Sequence, residues 1–260
     1  MTWTTRQRSE FGALAAISSG EGAPLVLLHG VGLRAEAWNR QVDALLAEGH
    51  RIIAPDMPGH GGSPTVPIPR SLQGYTDPVA AGLDEPAIVV GHSMGAMIAL
   101  DLAARYPDLV RGVVAMNAVF RRNPGARKAV EARVAALDGV HRADPTETLE
   151  RWFGGAASPE RSACELWLRS CDPSGYKAAY TVFAQEDGAS SEALMALSVP
   201  ALFLTGSEEP NSTPEMSRDM AALVPGGRSE VIRGAAHMMP MTHPRQVNRS
   251  LLGFVRECRP

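Results

Sequence analysis

The chain has 260 residues, of which 45% are hydrophobic and 20% charged, with a formal net charge of −3 and an isoelectric point near 6.2. This length and composition are typical of one globular domain that can also carry a small inserted subdomain. The balanced charge offers no basic surface for nucleic acid, and no apolar run is long enough to cross a bilayer, so we expect neither a nucleic-acid partner nor a membrane partner.

The start of the chain and its cysteines bear on its location. The N-terminal sequence MTWTTRQRSEFG lacks the apolar stretch of a secretory signal. The three cysteines, Cys164, Cys171 and Cys258, have neither a paired framework nor the spacing of metal ligands. We therefore expect a cytoplasmic protein with free thiols.

Short apolar segments alternate with helical segments along most of the chain. In chain order, the strand-like segments are RQRSEFGALAAISSG (two short antiparallel strands), PLVLLHG, HRIIAPD, AIVVG, VRGVVAMN, PALFLTG and RSEVIRG. The helical segments between them are AEAWNRQVDALLAEG, about Ser93 to Tyr106, PEMSRDMAALV and about Pro244 to Cys258. Short, almost continuously apolar strands between helices predict an α/β fold with a mostly parallel, doubly wound central sheet.

The strand signal is interrupted in the second half of the chain. Between Phe120 and about Ser198 the segments are helical, as in ARKAVEARVAAL and PSGYKAAYTVFAQED. We interpret this interruption as an all-helical cap, residues 120–198, inserted between two sheet strands. The core domain then comprises residues 1–119 and 199–260.

The sequence GHSMG, residues 91–95, lies between a predicted strand and a predicted helix. A sharp strand-to-helix turn strains the residue at its apex, and flanking glycines prevent side-chain collisions there. This context predicts that Ser93 is a catalytic nucleophile with an exposed hydroxyl. The alternative is a glycine-rich turn with a solvated serine.

A serine nucleophile needs a histidine base, and for this architecture the base comes later in the chain. His237 follows the last predicted strand, where a loop would present its imidazole to Ser93, and we predict that it is the base. His243 is the competitor, although it falls at the start of the last helix.

The third member of such a triad is a carboxylate that orients the histidine. Glu208 and Glu209 both follow the strand PALFLTG, and we favour Glu209 while Glu208 stays open. The other location for this acid, after VVAM, holds Asn117, which cannot carry the charge.

An oxyanion formed during acyl transfer needs backbone donors. Val31, directly after the strand PLVLLHG, and Met94, at the start of the helix after Ser93, are placed to supply two N–H groups. His29 could be a second base, but a structural role in shaping this loop is favoured. Asp56 and His60, in DMPGHGGS, are also predicted to be structural.

The motifs HGVG, DMPGHGGS, GHSMG, GSEEPNSTP and GAAHMMPMTHP resemble those of the α/β-hydrolase fold enzymes, in the same order, across residues 25–257. Within that superfamily, CDPSGYKAAYTVFAQED is similar to the cap of the 3-oxoadipate enol-lactonase and aminoacrylate-hydrolase group. The resemblance implies a serine hydrolase. Because Ser93 occupies the nucleophile position, it disfavours the dehalogenase and epoxide-hydrolase branches, which use aspartate there.

The cap is expected to choose the substrate. Arg121 or Arg122 could bind a substrate carboxylate, although a solvated face of a cap helix is the favoured explanation for both. Trp152 and Tyr176 are candidate walls of an apolar pocket, and Met238, beside the predicted base, is another. Core packing is the alternative for these three residues.

These features favour a serine hydrolase that cleaves a small carboxylic ester or lactone through an acyl-enzyme intermediate. The alternatives are a hydrolase of carbon–carbon bonds in a ring-opened dienoate or diketone, and a noncatalytic receptor for a small ligand on the same fold. No cofactor and no metal are expected, because the sequence contains neither a nucleotide-binding loop nor a metal constellation. The partner is a small acyl substrate, and the oligomeric state, monomer or homodimer, stays open.

Overall fold

The computed structural model describes residues 3–258, which fold around an eight-stranded sheet. The strands are β1 (Ser9–Phe11), β2 (Leu14–Ser19), β3 (Pro24–Leu28), β4 (Arg51–Pro55), β5 (Ala87–His92), β6 (Val110–Met116), β7 (Ala201–Gly206) and β8 (Arg228–Ile232). Their order across the sheet is β1-β2-β4-β3-β5-β6-β7-β8. β1 and β2 form antiparallel pairs, and the remaining strands are parallel to one another. The predicted mostly parallel sheet is confirmed.

Helices connect these strands. They are α1 (Asn39–Ala47), α2 (Gln73–Gly82), α3 (Met94–Arg105), α4 (Pro124–Ala135), α5 (Thr146–Phe153), α6 (Pro159–Ser170), α7 (Pro173–Gln185), α8 (Ser191–Met195), α9 (Pro214–Leu223), α10 (Met239–Thr242) and α11 (Pro244–Glu257). Within residues 3–258, none of the helices combines the length and the apolar composition that a membrane span requires.

The central strands are apolar throughout because both faces of the sheet are covered. In β3, Leu25 and Leu27 belong to one hydrophobic cluster while Val26 and Leu28 belong to another, and all four are almost fully buried. Successive side chains of a strand point to opposite faces, so each cluster fills one side of the sheet. Residues of α2, α3 and α9 contribute to one cluster, and residues of α1 and α11 to the other.

Helices α4 to α8 form the connection between β6 and β7. These two strands pair directly, with Val113 opposite Ala201, so the chain leaves the sheet after β6 and returns to the neighbouring position. Several of these helices have a side-chain N-cap. The Asn123 side chain accepts a hydrogen bond from the Ala126 amide at the start of α4, and the Asp172 side chain accepts one from the Gly175 amide at the start of α7. The division into domains at 119/120 and 198/199 stays a prediction.

The turn between β5 and α3 brings backbones unusually close together. A Cβ atom on Gly91 would lie 2.0 Å from the Gly95 carbonyl oxygen, and one on Gly95 would lie 2.1 Å from the Leu28 carbonyl oxygen. No side chain fits at such distances, so α3 can begin where it does only because both positions are glycine.

This close approach predicts a large cost for a single methyl group. Gly91→Ala should lower the free energy of unfolding by ~2 kcal/mol or more, because backbone atoms must move apart. Gly253→Ala is a matched control, since Gly253 lies in α11 with nothing within 4 Å of its added Cβ, and it should stabilise the protein by ~0.5–1 kcal/mol. Urea denaturation of both variants measures the difference; equal effects would show that the turn accommodates a side chain.

Candidate active site

Ser93 occupies the apex of the turn between β5 and α3. Its backbone has φ 58° and ψ −120°, a conformation that costs a residue other than glycine ~1–3 kcal/mol. The turn is held in place by the Ser93 amide, which donates to the Met116 carbonyl at 2.9 Å. Ser93 lines a cavity that His237 also borders, as a nucleophile in such a turn would.

His237 and Glu209 form a tight pair in two loops that follow neighbouring strands. His237, after β8, donates from Nδ1 to Glu209 Oε2 at 2.6 Å. Glu209, after β7, also accepts from the amides of Asn211 at 2.8 Å and Ser212 at 3.4 Å through Oε1. The bond from Nδ1 fixes the ring orientation and tautomer, which leaves Nε2 available as a base.

Glu209 is ionised in this setting although it is almost fully buried. Burial raises the pKa of its carboxyl group, but the charge and hydrogen bond of His237 and the two backbone amides outweigh it and lower the pKa to about 2. Glu208 differs, because it is exposed and accepts from the Ser207 hydroxyl. Of the two glutamates, it is Glu209 that contacts the histidine.

The backbone of His237 is also fixed. Its carbonyl accepts from His92 Nε2 and from Asn117 Nδ2, each at 2.8 Å, and Asn117 Oδ1 accepts from the Gly206 amide at 3.3 Å. Burial and the nearby His237 lower the pKa of His92 to about 3, so its ring is a neutral donor. The sequence indicated that Asn117 could not be the acid, but nothing in it pointed to this contact.

His243, the competing base, is placed elsewhere. It precedes α11, and its Nδ1 lies 2.9 Å from the Thr242 hydroxyl. It is absent from the lining of the cavity that holds Ser93 and His237. The geometry therefore favours His237 over His243.

The two predicted oxyanion donors belong to the loop after β3 and to the start of α3. Val31 lines the cavity beside Ser93, and a Cβ on the neighbouring Gly30 would lie 3.0 Å from Ser93 Cβ. Met94 is the first residue of α3, and the first amides of a helix have no partner within the helix. The Met94 N–H thus lies at the positive end of the helix dipole, and Val31 borders the same cavity as Ser93. The role of the two amides as oxyanion donors stays a prediction.

Two neutral histidines shape the Val31 loop. His29 Nδ1 donates to the Gly30 carbonyl at 2.8 Å and Nε2 accepts from the Met57 amide at 2.9 Å. His60 Nε2 accepts from the Gly32 amide at 3.0 Å, and Nδ1 lies 3.0 Å from the Pro58 carbonyl. Burial and the neighbouring His29 lower the pKa of His60 to about 4. Their ring nitrogens are occupied by backbone groups, which is the structural role that the sequence indicated.

Asp56 stabilises the surroundings of the same loop through contacts of its carboxylate. Its carboxylate accepts from the amides of Ala35 at 2.7 Å and Gly62 at 2.8 Å, and it pairs with Arg8 at 2.7 Å. Burial raises its pKa, but the Arg8 hydrogen bond and the two backbone amides hold the pKa below its usual range. Asp56 is therefore an ionised anchor of the backbone, as predicted.

The buried His60 predicts a loss of stability in acid. An unfolded imidazole titrates near pH 6.5, whereas the folded one titrates near pH 4, so between these values the unfolded chain binds a proton that the folded chain does not. Stability should fall as the pH decreases through this window, with His60 contributing about 2 kcal/mol between pH 7.5 and pH 5. In His60→Gln, whose amide oxygen can still accept from Gly32, denaturation at these two pH values should show a correspondingly smaller fall. Identical falls in both proteins would contradict a neutral His60.

The cavity in front of Ser93 contains about 750 Å³ of space, including the part open to solvent. Its lining is Gly30, Val31, Leu33, Ser93, Val119, Arg122, Ala126, Val130, Arg133, Thr148, Arg151, Trp152, Tyr176, Tyr180, Phe183, Asn211, Ser212 and His237. Trp152 stacks on the His237 ring, with centroids 5.5 Å apart and planes 20° apart. The predicted wall residues Trp152 and Tyr176 thus border the same space as Ser93.

Two of the predicted substrate-binding residues lie outside this cavity. Arg121 has φ 52°, and its guanidinium donates to the Ser191 hydroxyl at 2.6 Å and lies 4.7 Å from the centroid of the Phe120 ring. Met238 is 1% exposed and belongs to a hydrophobic cluster with Leu33 and Cys164. Neither residue is therefore among those that line the cavity with Ser93, and a substrate-binding role for either stays a prediction.

Arg122 lies in the cavity wall, but its guanidinium already has protein partners. It donates to the Phe183 carbonyl at 3.1 Å and to the Glu186 carbonyl, and it lies 3.7 Å from the Asp187 carboxylate. These contacts tie the start of the inserted segment to α7. Arg133 and Arg151 also line the cavity, and the sequence analysis missed them because helical arginines normally indicate a solvated face.

Potential metal ligands do not cluster in the part of the chain that the structure describes. Among residues 3–258, no group of three or more His, Cys, Asp or Glu side chains is arranged to hold an ion. The Ser93 hydroxyl and the His237 imidazole line the cavity, and the ionised Glu209 carboxylate contacts that imidazole.

Comparisons with known proteins agree with this architecture. A model of the alpha/beta hydrolase family matches residues 25–250. The (E)-2-((N-methylformamido)methylene)succinate hydrolase of Acinetobacter baylyi is 39% identical over 243 residues, which cover 91% of each chain. A thermophilic esterase from Thermogutta terrifontis superposes with a TM-score of 0.86 at 27% identity, covering 98% of this chain and 100% of the other. The enol-lactonase from Burkholderia xenovorans LB400 shares the fold, with a TM-score of 0.81 at 22% identity and coverage of 96% and 99%.

Proposed function

Because the chain belongs to the alpha/beta hydrolase family, we propose that it is a serine hydrolase that cleaves a small carboxylic ester or lactone through an acyl-enzyme intermediate. One observation carries the proposal: Ser93, strained at its turn, lines the same cavity as His237, whose Nδ1 is held by the ionised Glu209. A structural serine needs neither the strain nor this partner.

In the proposed reaction, His237 Nε2 removes the Ser93 hydroxyl proton as Oγ attacks the substrate carbonyl. The resulting oxyanion is stabilised by the amides of Val31 and Met94, and Glu209 stabilises the imidazolium. The imidazolium then protonates the leaving oxygen, the bond between carbonyl carbon and that oxygen breaks, and the acyl group stays on Ser93. A water molecule, deprotonated by His237, attacks the acyl carbon, the bond from that carbon to Ser93 Oγ breaks, and the imidazolium returns its proton to Oγ as the carboxylic acid leaves.

Covalent labelling tests the nucleophile directly. Exposure to a small fluorophosphonate should add one adduct per chain, and peptide fragmentation should locate it on Ser93. The His237→Ala variant should label far more slowly, because the hydroxyl then has no base. Adduct on another residue, or none on a folded protein that also hydrolyses no acyl substrate, would contradict the proposal and favour a ligand receptor.

A second candidate is the hydrolysis of an amide in a substituted succinate. The observation that favours it is the 39% identical relative, whose name specifies both a formamide and a succinate. The same acyl-transfer steps apply to an amide, with nitrogen as the leaving atom.

The two candidates differ in their products. If the purified protein cleaves the formamide bond of (E)-2-((N-methylformamido)methylene)succinate, the NMR spectrum should show formate together with loss of the starting compound. An unchanged compound, combined with turnover of simple esters or lactones, would remove this candidate and keep the first. Product analysis also separates both reactions from carbon–carbon cleavage.

A further inference from the structure

The cavity wall that belongs to α4 and α5 carries a concentration of positive charge. Arg133 and Arg151 line the cavity together with Arg122, and among residues 3–258 no aspartate or glutamate belongs to the lining. The chain as a whole is slightly acidic, with a formal net charge of −3. The positive charge is therefore a local property of this wall and not of the whole surface.

Arg133 and Arg151 differ from Arg122 in their partners. Arg122 is bound by carbonyl groups and Asp187, whereas within residues 3–258 neither Arg133 nor Arg151 has a carboxylate within salt-bridge distance. Arg151 Nη2 donates to the Thr148 hydroxyl at 2.9 Å, and this hydroxyl also lines the cavity. In the described part of the chain, most of the donors of the two guanidinium groups thus have no protein acceptor.

The two arginines are also close enough to affect each other. Burial and the charge of Arg133 lower the pKa of Arg151. Two like charges in a half-buried wall repel each other, and an anion between them would relieve that repulsion and accept hydrogen bonds from both. Arg133, Arg151, Thr148, Tyr176 and Tyr180 lie at the boundary with a second cavity, which they also border. The carboxylates of that second cavity, Asp144 and Glu147, are not among the lining of the cavity that holds Ser93, although the charge of Glu147 partly offsets that of Arg133 at Arg151.

We propose that Arg133 and Arg151 bind a free carboxylate of the substrate, so that the protein selects acyl compounds with a second, anionic carboxylate away from the scissile carbonyl. This inference rests on the proposed function, since it places the scissile carbonyl at Ser93 and the carboxylate at the α4–α5 wall. A carboxylate matches the planar fork of a guanidinium, and the aromatic and aliphatic remainder of the lining suits the short carbon chain between the two groups.

The test compares two esters that differ only in this group: mono-4-nitrophenyl glutarate and the uncharged 4-nitrophenyl pentanoate. In the unmodified protein, the ratio of kcat/KM for the acid to kcat/KM for the neutral ester should exceed one. In Arg133→Met and Arg151→Met the ratio should fall at least tenfold, mainly through KM, while the Lys variants, which keep the charge, should retain part of it. The matched control is Arg218→Met, an exposed arginine of α9 outside the cavity lining, which should leave the ratio unchanged.

Two further measurements separate this inference from the function on which it rests. Fluorophosphonate labelling of Ser93 in every variant reports the nucleophile, and calorimetric titration with glutarate reports the anion site without turnover. Normal labelling with an unchanged ester ratio would overturn the carboxylate site and leave the hydrolase standing. Absent labelling would overturn the hydrolase; glutarate binding that is lost in both Met variants would then support the anion site, and equal binding in all proteins would overturn it.

Discussion

Ser93→Ala is expected to lower kcat by about 10⁴-fold or more, because removal of the nucleophile from a serine triad leaves only the contribution of binding and the oxyanion donors. The fold should persist, since alanine removes one oxygen atom and keeps the same backbone conformation at the turn. Steady-state kinetics on the best ester found for the unmodified protein measures the loss, and thermal unfolding shows whether the structure is intact.

The control for this variant is Ser250→Ala. Ser250 lies on α11, donates to Glu230 at 2.6 Å and does not border the cavity, so its loss should change kcat less than twofold. If Ser93→Ala keeps most of the activity while fully folded, the hydroxyl is not the nucleophile. Water activated by His237 would then be the simplest replacement.

Glu209→Gln is expected to lower kcat by about 10³–10⁴-fold, the size of the effect of the corresponding substitution in a serine protease triad. The buried carboxylate accepts the 2.6 Å hydrogen bond from His237 and balances the imidazolium that forms during acyl transfer. A neutral amide removes that charge, and its NH₂ group can favour the wrong tautomer of the ring.

Glu208→Gln is the matched control, because it makes the same chemical change at the adjacent position. Glu208 is exposed and contacts Ser207, so the activity of this variant should stay within twofold of the unmodified protein. The opposite result, a large loss in Glu208→Gln and a small one in Glu209→Gln, would transfer the role of the acid to Glu208.

The sheet was predictable from the sequence because its central strands are short, continuous apolar runs. The helix α2 was not predicted, and its composition explains why. It contains Gly74 and, in its interior, Pro78, residues that weaken a helical pattern, and the helix depends on tertiary burial of Tyr75 and Val79. The residues near α2 in the sequence do not reveal that the fold buries these two side chains.

The triad candidates were predictable for a topological reason. Ser93, Glu209 and His237 each follow a parallel strand, and parallel strands end at the same edge of a sheet. No comparable topological rule predicts which residues of the α4–α8 segment face the cavity. Whether Arg133 faces the cavity depends on how α4 is rotated against the sheet, and Arg121, which precedes α4, has its guanidinium bound to the Ser191 hydroxyl. Neither property can be derived from residue spacing.

The pairing of β6 with β7 has a consequence for how the protein folds. Val113 and Ala201 come together only after all of α4–α8 has been looped out between them, and such non-local contacts form slowly. Ser93 precedes this junction in the chain, whereas Glu209 and His237 follow it. A chain that has formed β3, β5 and β6 alone therefore holds the nucleophile turn without its base. During refolding, hydrolase activity should therefore return when β7 and β8 complete the sheet, and not when the first strands form.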